Sequence, residues 1–166
     1  MPALDLASFR FAASLLRKAF ADVPEADMRL RAIPEMNPPV WLLGHLVATF
    51  GAIPKMLGGS MTCPPEYWAM FGPGSKLENL PAELPTKDVL LAHFGRTSEH
   101  LLTLLSTLTE EQLNGPNPSP YFKAELPTLR SILENLLVGH TMLHVGQMTA
   151  WRKVQGLSKV ISLPGE

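Results

Sequence analysis

The sequence predicts an all-α protein, a four-helix bundle formed by one domain over residues 1–166. Three observations predict it. Apolar residues recur at spacings of three and four in four separate stretches, which is the period of a helix with one buried face. Connections rich in proline and glycine divide those stretches. No stretch alternates apolar and polar residues as a half-buried strand does. With 166 residues, 46% of them hydrophobic and 17% charged, the chain can bury a real core.

The first helix is expected from Leu4 to Phe20, with Leu6, Phe9, Ala13, Leu16 and Phe20 as its stripe. Arg10 and Arg17 interrupt its apolar residues, so it reads as an amphipathic helix and not as a signal peptide. Asp22, Pro24 and Pro34 punctuate the connection to the second helix. That helix opens at Asn37-Pro38-Pro39, with Asn37 as the expected N-cap and the prolines in the first turn, where a missing N–H costs little. Pro38, Trp41, His45, Thr49, Ala52 and Met56 share a face. Pro54 should bend or end this helix, and Gly58-Gly59 should stop it.

Residues 60–85 are proline-rich and without period. They read as an ordered excursion anchored by Tyr67, Trp68 and Phe71, and a connection this long in a compact domain often walls or covers a site. The third helix is expected from Thr86 to Leu108, with Leu90, Phe94, Thr97, Leu101, Leu105 and Leu108 inward. Thr109 then caps a short turn, with Gln112 at the capping-box position. After the 114–127 loop, Thr128 caps the fourth helix, whose face carries Leu129, Leu133, Leu136, His140, His144, Gln147 and Trp151, and Gly156 stops it.

Composition narrows the function. Fourteen basic and fifteen acidic residues give a net charge of -1. No basic stripe tracks a phosphate backbone, so nucleic acid is not an expected partner. The single cysteine, Cys63, cannot close an intrachain disulfide, which points to a reducing compartment with the cytoplasm as default. No run of about 18 apolar residues occurs, so no membrane span is expected. Apolar residues left over on the helices and in the 60–85 excursion suggest a homodimer.

Three histidines carry the chemistry. A lone histidine in a helix is usually a packed residue with one satisfied hydrogen bond. Here His140 and His144 are four apart, so their rings stack on one helix face. Both fall on the apolar stripe, where two imidazoles and the Gln147 amide would be costly without partners. One metal ion accounts for both rings together. His45 holds the matching place on the second helix, which completes a three-histidine set with an open coordination position. Gln147 is read as a donor orienting a ligand or a bound water, with a bond to backbone as the alternative. Thr49, one turn from His45, is placed with it behind the ligands. His93 and His100 lie about 80–100° off the third helix's stripe and read as flank residues. Cys63 has no second ligand at a metal-site spacing and reads as a small apolar residue.

The two pieces NPPVWLLGHL (37–46) and HTMLHVGQM (140–148) resemble the DinB/YfiT-like family of metalloenzymes. The resemblance spans nearly the whole chain in helix order and length. It implies a DinB-like four-helix bundle and a divalent ion, zinc or nickel most prominently. It implies His45, His140 and His144 as the ligands, all three present here. Family activities include transfer of a low-molecular-weight thiol such as bacillithiol, mycothiol or glutathione, thiol-dependent isomerisation, and metal-dependent hydrolysis.

Two classes of function compete. As an enzyme, the chain would use the ion to lower the pKa of a thiol or a water. No further histidine or carboxylate on the stripes offers a general base, which favours thiol transfer to an electrophile over hydrolysis. As a non-catalytic stress-response or binding module, it would hold a structural metal, and such sites usually close with a fourth protein ligand. Cys63 is the only cysteine that could serve.

Overall fold

A computed structural model describes residues 4–161 of the chain. Among them every regular element is a helix; the one backbone bridge joins Pro116 and Thr128. Helix α1 spans Leu6–Ala21, α2 Pro39–Met56, α3 Pro65–Phe71, α4 Lys87–Leu105 and α5 Glu110–Asn114. Helix α6, residues 129–154, runs without a break through three parts: α-helical Leu129–Glu134, a π turn at Asn135–Gly139, and α-helical His140–Val154. The all-α class therefore holds. The two short helices, α3 and α5, raise the count above the expected four.

Helix α2 is the hub, packed against α4 on one side and α3 on another, while α1 lies along the second half of α6. Every residue from Pro38 to Gly51 is buried. The expected single stripe on this helix is therefore too narrow: a helix apolar all round sits inside the fold. Phe50 of α2 stacks on Phe94 of α4 and meets Phe9 of α1 edge-on, with ring centroids 5.2 and 5.6 Å apart.

The caps correct several boundaries. Asp5 caps α1, accepting from the N–H groups of Ala7 and Ser8, so the helix starts two residues after Leu4. Asn37 is not the cap of α2; Pro38 holds that position without a side-chain bond. The cause is local, since a residue before proline is driven out of the helical region, and Pro38 precedes Pro39. Pro54 does not end the helix, which continues to Met56. Gly58, at φ +88°, closes it: the Gly59 N–H reaches the Pro54 carbonyl at 2.9 Å and the Gly58 N–H the Lys55 carbonyl at 3.1 Å. That double bond is the Schellman arrangement, in which a left-handed residue lets the chain satisfy its last carbonyls. Gly156, at φ +71°, ends α6 in the same way, with Leu157 N–H bonded to the Arg152 carbonyl.

The 60–85 excursion is ordered and carries α3 and a 3-10 turn at Leu77–Asn79. Tyr67 and Phe71 are buried, whereas Trp68 is 38% exposed. Positions 67 and 71 share a helix face, and 68 is turned about 100° away. Helix α4 ends at Leu105, short of Leu108, where the Ser106 and Thr107 hydroxyls take the carbonyls of Thr103 and Leu104. The expected capping box of Thr109 with Gln112 is present, and the expected cap Thr128 forms a second box with Ser131. Arg152, which sequence reasoning passed over, is buried and ties three segments together. Its guanidinium donates to the Ala19 carbonyl, the Asp22 carboxylate and the Ser158 carbonyl.

Candidate metal centre

His45 sits in the second turn of α2, and its place is fixed from two sides. Its ring stacks on Trp41, one turn earlier, with centroids 4.7 Å apart and planes 6° from parallel. Trp41 is in turn pinned by its Nε1–H, which donates to Ser75 Oγ at 2.9 Å. His45 Nδ1 lies 2.7 Å from the Phe71 carbonyl oxygen at the end of α3. A carbonyl only accepts, so Nδ1 carries the proton and the Nε2 lone pair faces inward. The 60–85 excursion thus does reach the site, through Phe71 and Ser75. Gly44 makes this approach possible: a Cβ there would fall 2.6–2.7 Å from three ring carbons of Phe71.

His140 and His144 come from α6 immediately after the π turn. Thr141 responds to that turn by donating its hydroxyl to the Leu136 carbonyl, 3.4 Å away and five residues back. His144 Nδ1 lies 2.7 Å from Gln147 Oε1. The amide oxygen receives that proton, so Gln147 serves as an acceptor, where the sequence suggested a donor. This again leaves the Nε2 lone pair free to face the other rings.

The three Nε2 atoms converge. His140 Nε2 is 3.1 Å from His45 Nε2 and 3.0 Å from His144 Nε2. A single ring nitrogen can hold one proton and so can serve at most one of two lone pairs. Three nitrogens around a tetrahedral ion at about 2.0–2.1 Å would be separated by about 3.3 Å, close to what is seen. His45, His140 and His144 form one group whose ligand atoms all lie within 4.8 Å of one another, and the residues present can hold a metal ion. No other histidine, cysteine, aspartate or glutamate joins this group among the described residues.

Burial sets the protonation state. It lowers the pKa of all three histidines, and repulsion from the neighbouring rings adds to it for two of them, carrying His140 down to about 3 and His144 to about 4. All three are neutral at pH 7, the state in which imidazole ligates. The other sequence candidates stay apart. His93 packs edge-on against Tyr67, and His100 is exposed on α4. Cys63 is buried against Gly51, and burial pushes its thiol pKa up, away from the thiolate a metal needs. Thr49 is buried one turn beyond His45, and its hydroxyl has no hydrogen-bond partner. Gly44, the Phe71 carbonyl, Ser75 and the π turn were missed by sequence reasoning. Only the Gly44-His45 dipeptide, glycine in mid-helix beside a ligand, carried a visible signal.

An all-α fold with three inward histidines on two facing helices defines a class of helical proteins whose core can hold a metal ion. The family model of the DinB superfamily matches residues 8–148, and the chain belongs to that superfamily. Among solved structures it is similar to a conserved protein from Enterococcus faecalis, with a TM-score of 0.69 and 16% identity over 93% of this chain and 98% of that one. At that identity the likeness establishes the fold. No curated protein matches the chain.

Proposed function

We propose that the protein is a metal-dependent enzyme that transfers a low-molecular-weight thiol to an electrophilic substrate. The observation that carries this reading is the open three-histidine set: three neutral Nε2 atoms face one point, and no fourth protein ligand joins them among the described residues. His45, His140 and His144 would hold the ion, zinc or nickel, in the four-helix core formed by α1, α2, α4 and α6. When bound, the ion lowers the pKa of a thiol or water at its open position. The chain's own part is positioning. The Phe71 carbonyl and Gln147 fix two of the rings, and Trp41 covers one face of His45. The histidine group contains no carboxylate to act as a general base, which favours a thiol, whose lower intrinsic pKa lets the ion ionise it more readily than water.

The opposing reading, a structural metal closed by Cys63, loses support because Cys63 packs on Gly51 outside the histidine group. No helix among the described residues is long and apolar enough to cross a membrane, in keeping with a proposed place in the cytoplasm. Exposed Phe11 on α1 and Leu143 and Val154 on α6 support a homodimer, which light scattering would test.

The test is metal analysis of the purified protein, followed by a thiol screen against a chromogenic chloronitroaromatic. Thiol consumption should vanish with a chelator, return with a divalent ion, and be lost in His144→Ala. Ester hydrolysis at an equal rate without any thiol would move the assignment to a hydrolase. Full metal occupancy with no turnover of either kind would leave the non-catalytic module.

A further inference from the structure

Two of the three rings have an outer hydrogen-bond partner supplied by the chain: the Phe71 carbonyl for His45 and Gln147 for His144. His140 has none; its Nδ1 is buried with no hydrogen-bond partner. One other buried side-chain polar atom among the described residues shares that state, the hydroxyl of Thr49. Native proteins pair nearly all such atoms, so each orphan calls for a physical reason. Both residues adjoin His45. Thr49 is one turn beyond His45 on the same face of α2, and His45 is the ring whose Nε2 meets His140 at 3.1 Å.

Thr49 also departs from its kind. A hydroxyl inside a helix usually bonds the carbonyl three or four residues back. Ser98 does so to Phe94 at 2.7 Å, Thr103 to Glu99 at 3.2 Å, and Thr149 to Val145 at 2.8 Å. The Thr49 hydroxyl makes no such bond to the His45 carbonyl. It is a buried oxygen, one turn from the metal ligand, left free to bind something else.

We infer that Thr49, through one buried water, is the outer hydrogen-bond partner of His140. The water accepts from His140 Nδ1–H and donates to Thr49 Oγ1, so one molecule satisfies both orphans. The bond holds His140 in the tautomer whose Nε2 lone pair faces the other two rings. Thr49 is thus a positioning residue that acts through His140, and the inference rests on the metal reading above. Outer partners of metal-bound histidines are worth about 10–100-fold in metal affinity.

The experiment uses the full chain stripped of metal and titrated with zinc against a chromophoric chelator. Thr49→Val keeps the shape and removes the hydroxyl; Thr49→Ser keeps the hydroxyl. Thr49→Val should weaken zinc binding by about 10–100-fold, Thr49→Ser should restore it, and the metal-free Val variant should melt no lower than wild type. A packing role would instead lower the melting temperature of the metal-free Val variant and leave its zinc affinity intact. Wild-type affinity in Thr49→Val, while wild type binds one equivalent that His144→Ala loses, would overturn the inference and leave the metal reading standing. A wild-type protein that binds no zinc, cobalt or nickel would overturn both.

Discussion

Replacing Gly44 by alanine tests whether the ligand shell is set by packing. In an ordinary mid-helix position the change stabilises by about 1 kcal/mol, because alanine has less backbone freedom to lose. At Gly44 the new methyl would sit 2.6, 2.7 and 2.7 Å from three ring carbons of Phe71, which is itself fully buried. Carbon atoms pack at about 3.5–4.0 Å, so the ring or the helix must withdraw by about 1 Å. Forcing an extra methyl into a close-packed core costs about 1–3 kcal/mol. Set against the propensity gain, the net expectation is a loss of up to about 2 kcal/mol, or up to about 8 °C in melting temperature for a chain of this size. The same displacement carries the Phe71 carbonyl away from His45 Nδ1, now 2.7 Å apart. Metal affinity should then fall about 10–100-fold. Urea denaturation of the metal-free protein reads the first effect, and a competitive zinc titration reads the second. A variant as stable as wild type, with unchanged zinc affinity, would refute the idea that α3 holds His45 through this contact.

Gly146→Ala is the matched control: it lies on exposed α6 surface with nothing within 4 Å of a new Cβ, and should stabilise by about 0.5–1 kcal/mol in the same denaturation assay. Arg152→Met should destabilise by about 2 kcal/mol, less than for a fully buried ion pair because the Asp22 side chain is 49% exposed, and urea melts of both proteins measure it. The metal-free protein should lose stability on acidification. The folded pKa values of His140 and His144, about 3 and about 4, lie below the unfolded value of 6.5, so the unfolded chain binds more protons between those limits. Their contribution is intact above pH 6.5 and declines as pH falls towards 4, by up to about 1.4 kcal/mol per pH unit for each ring. Melting curves across pH 7.5 to 4 in chelator, compared with His140→Gln, isolate that slope.

How far the sequence could be read depended on range. The stripes of α1 and α4 were legible because their buried and exposed faces contrast: Phe9, Leu16 and Phe20 are inward while Arg10 and Arg17 are outside. The histidine group was legible because His140 and His144 belong to one turn and a third histidine stood on another apolar helix. Helix α2 misled, since a segment buried on all sides carries no amphipathic contrast to mark its directions. The π turn was invisible because its extra residue preserves the apolar spacing, with Leu133, Leu137 and Thr141 all buried. Phe71 and Ser75 were missed for a different reason. One acts through a backbone carbonyl, which any residue possesses, and the other is 34 residues from the Trp41 it serves.

The all-round burial of α2 has a kinetic consequence. Amide protons exchange where an element opens, and opening is hardest where most apolar surface must be exposed. Residues 38–51 are buried without exception, whereas α6 alternates buried and exposed positions and contains a turn of looser winding. The amides of the two halves of the histidine set should therefore exchange at unequal rates, which hydrogen exchange would read. His45 belongs to the helix buried on every side, and His140 and His144 to a helix with an exposed face. An ion would enter and leave by excursions of α6 away from a stationary α2, so its residence time would be governed by the local opening of one helix rather than by unfolding of the whole molecule.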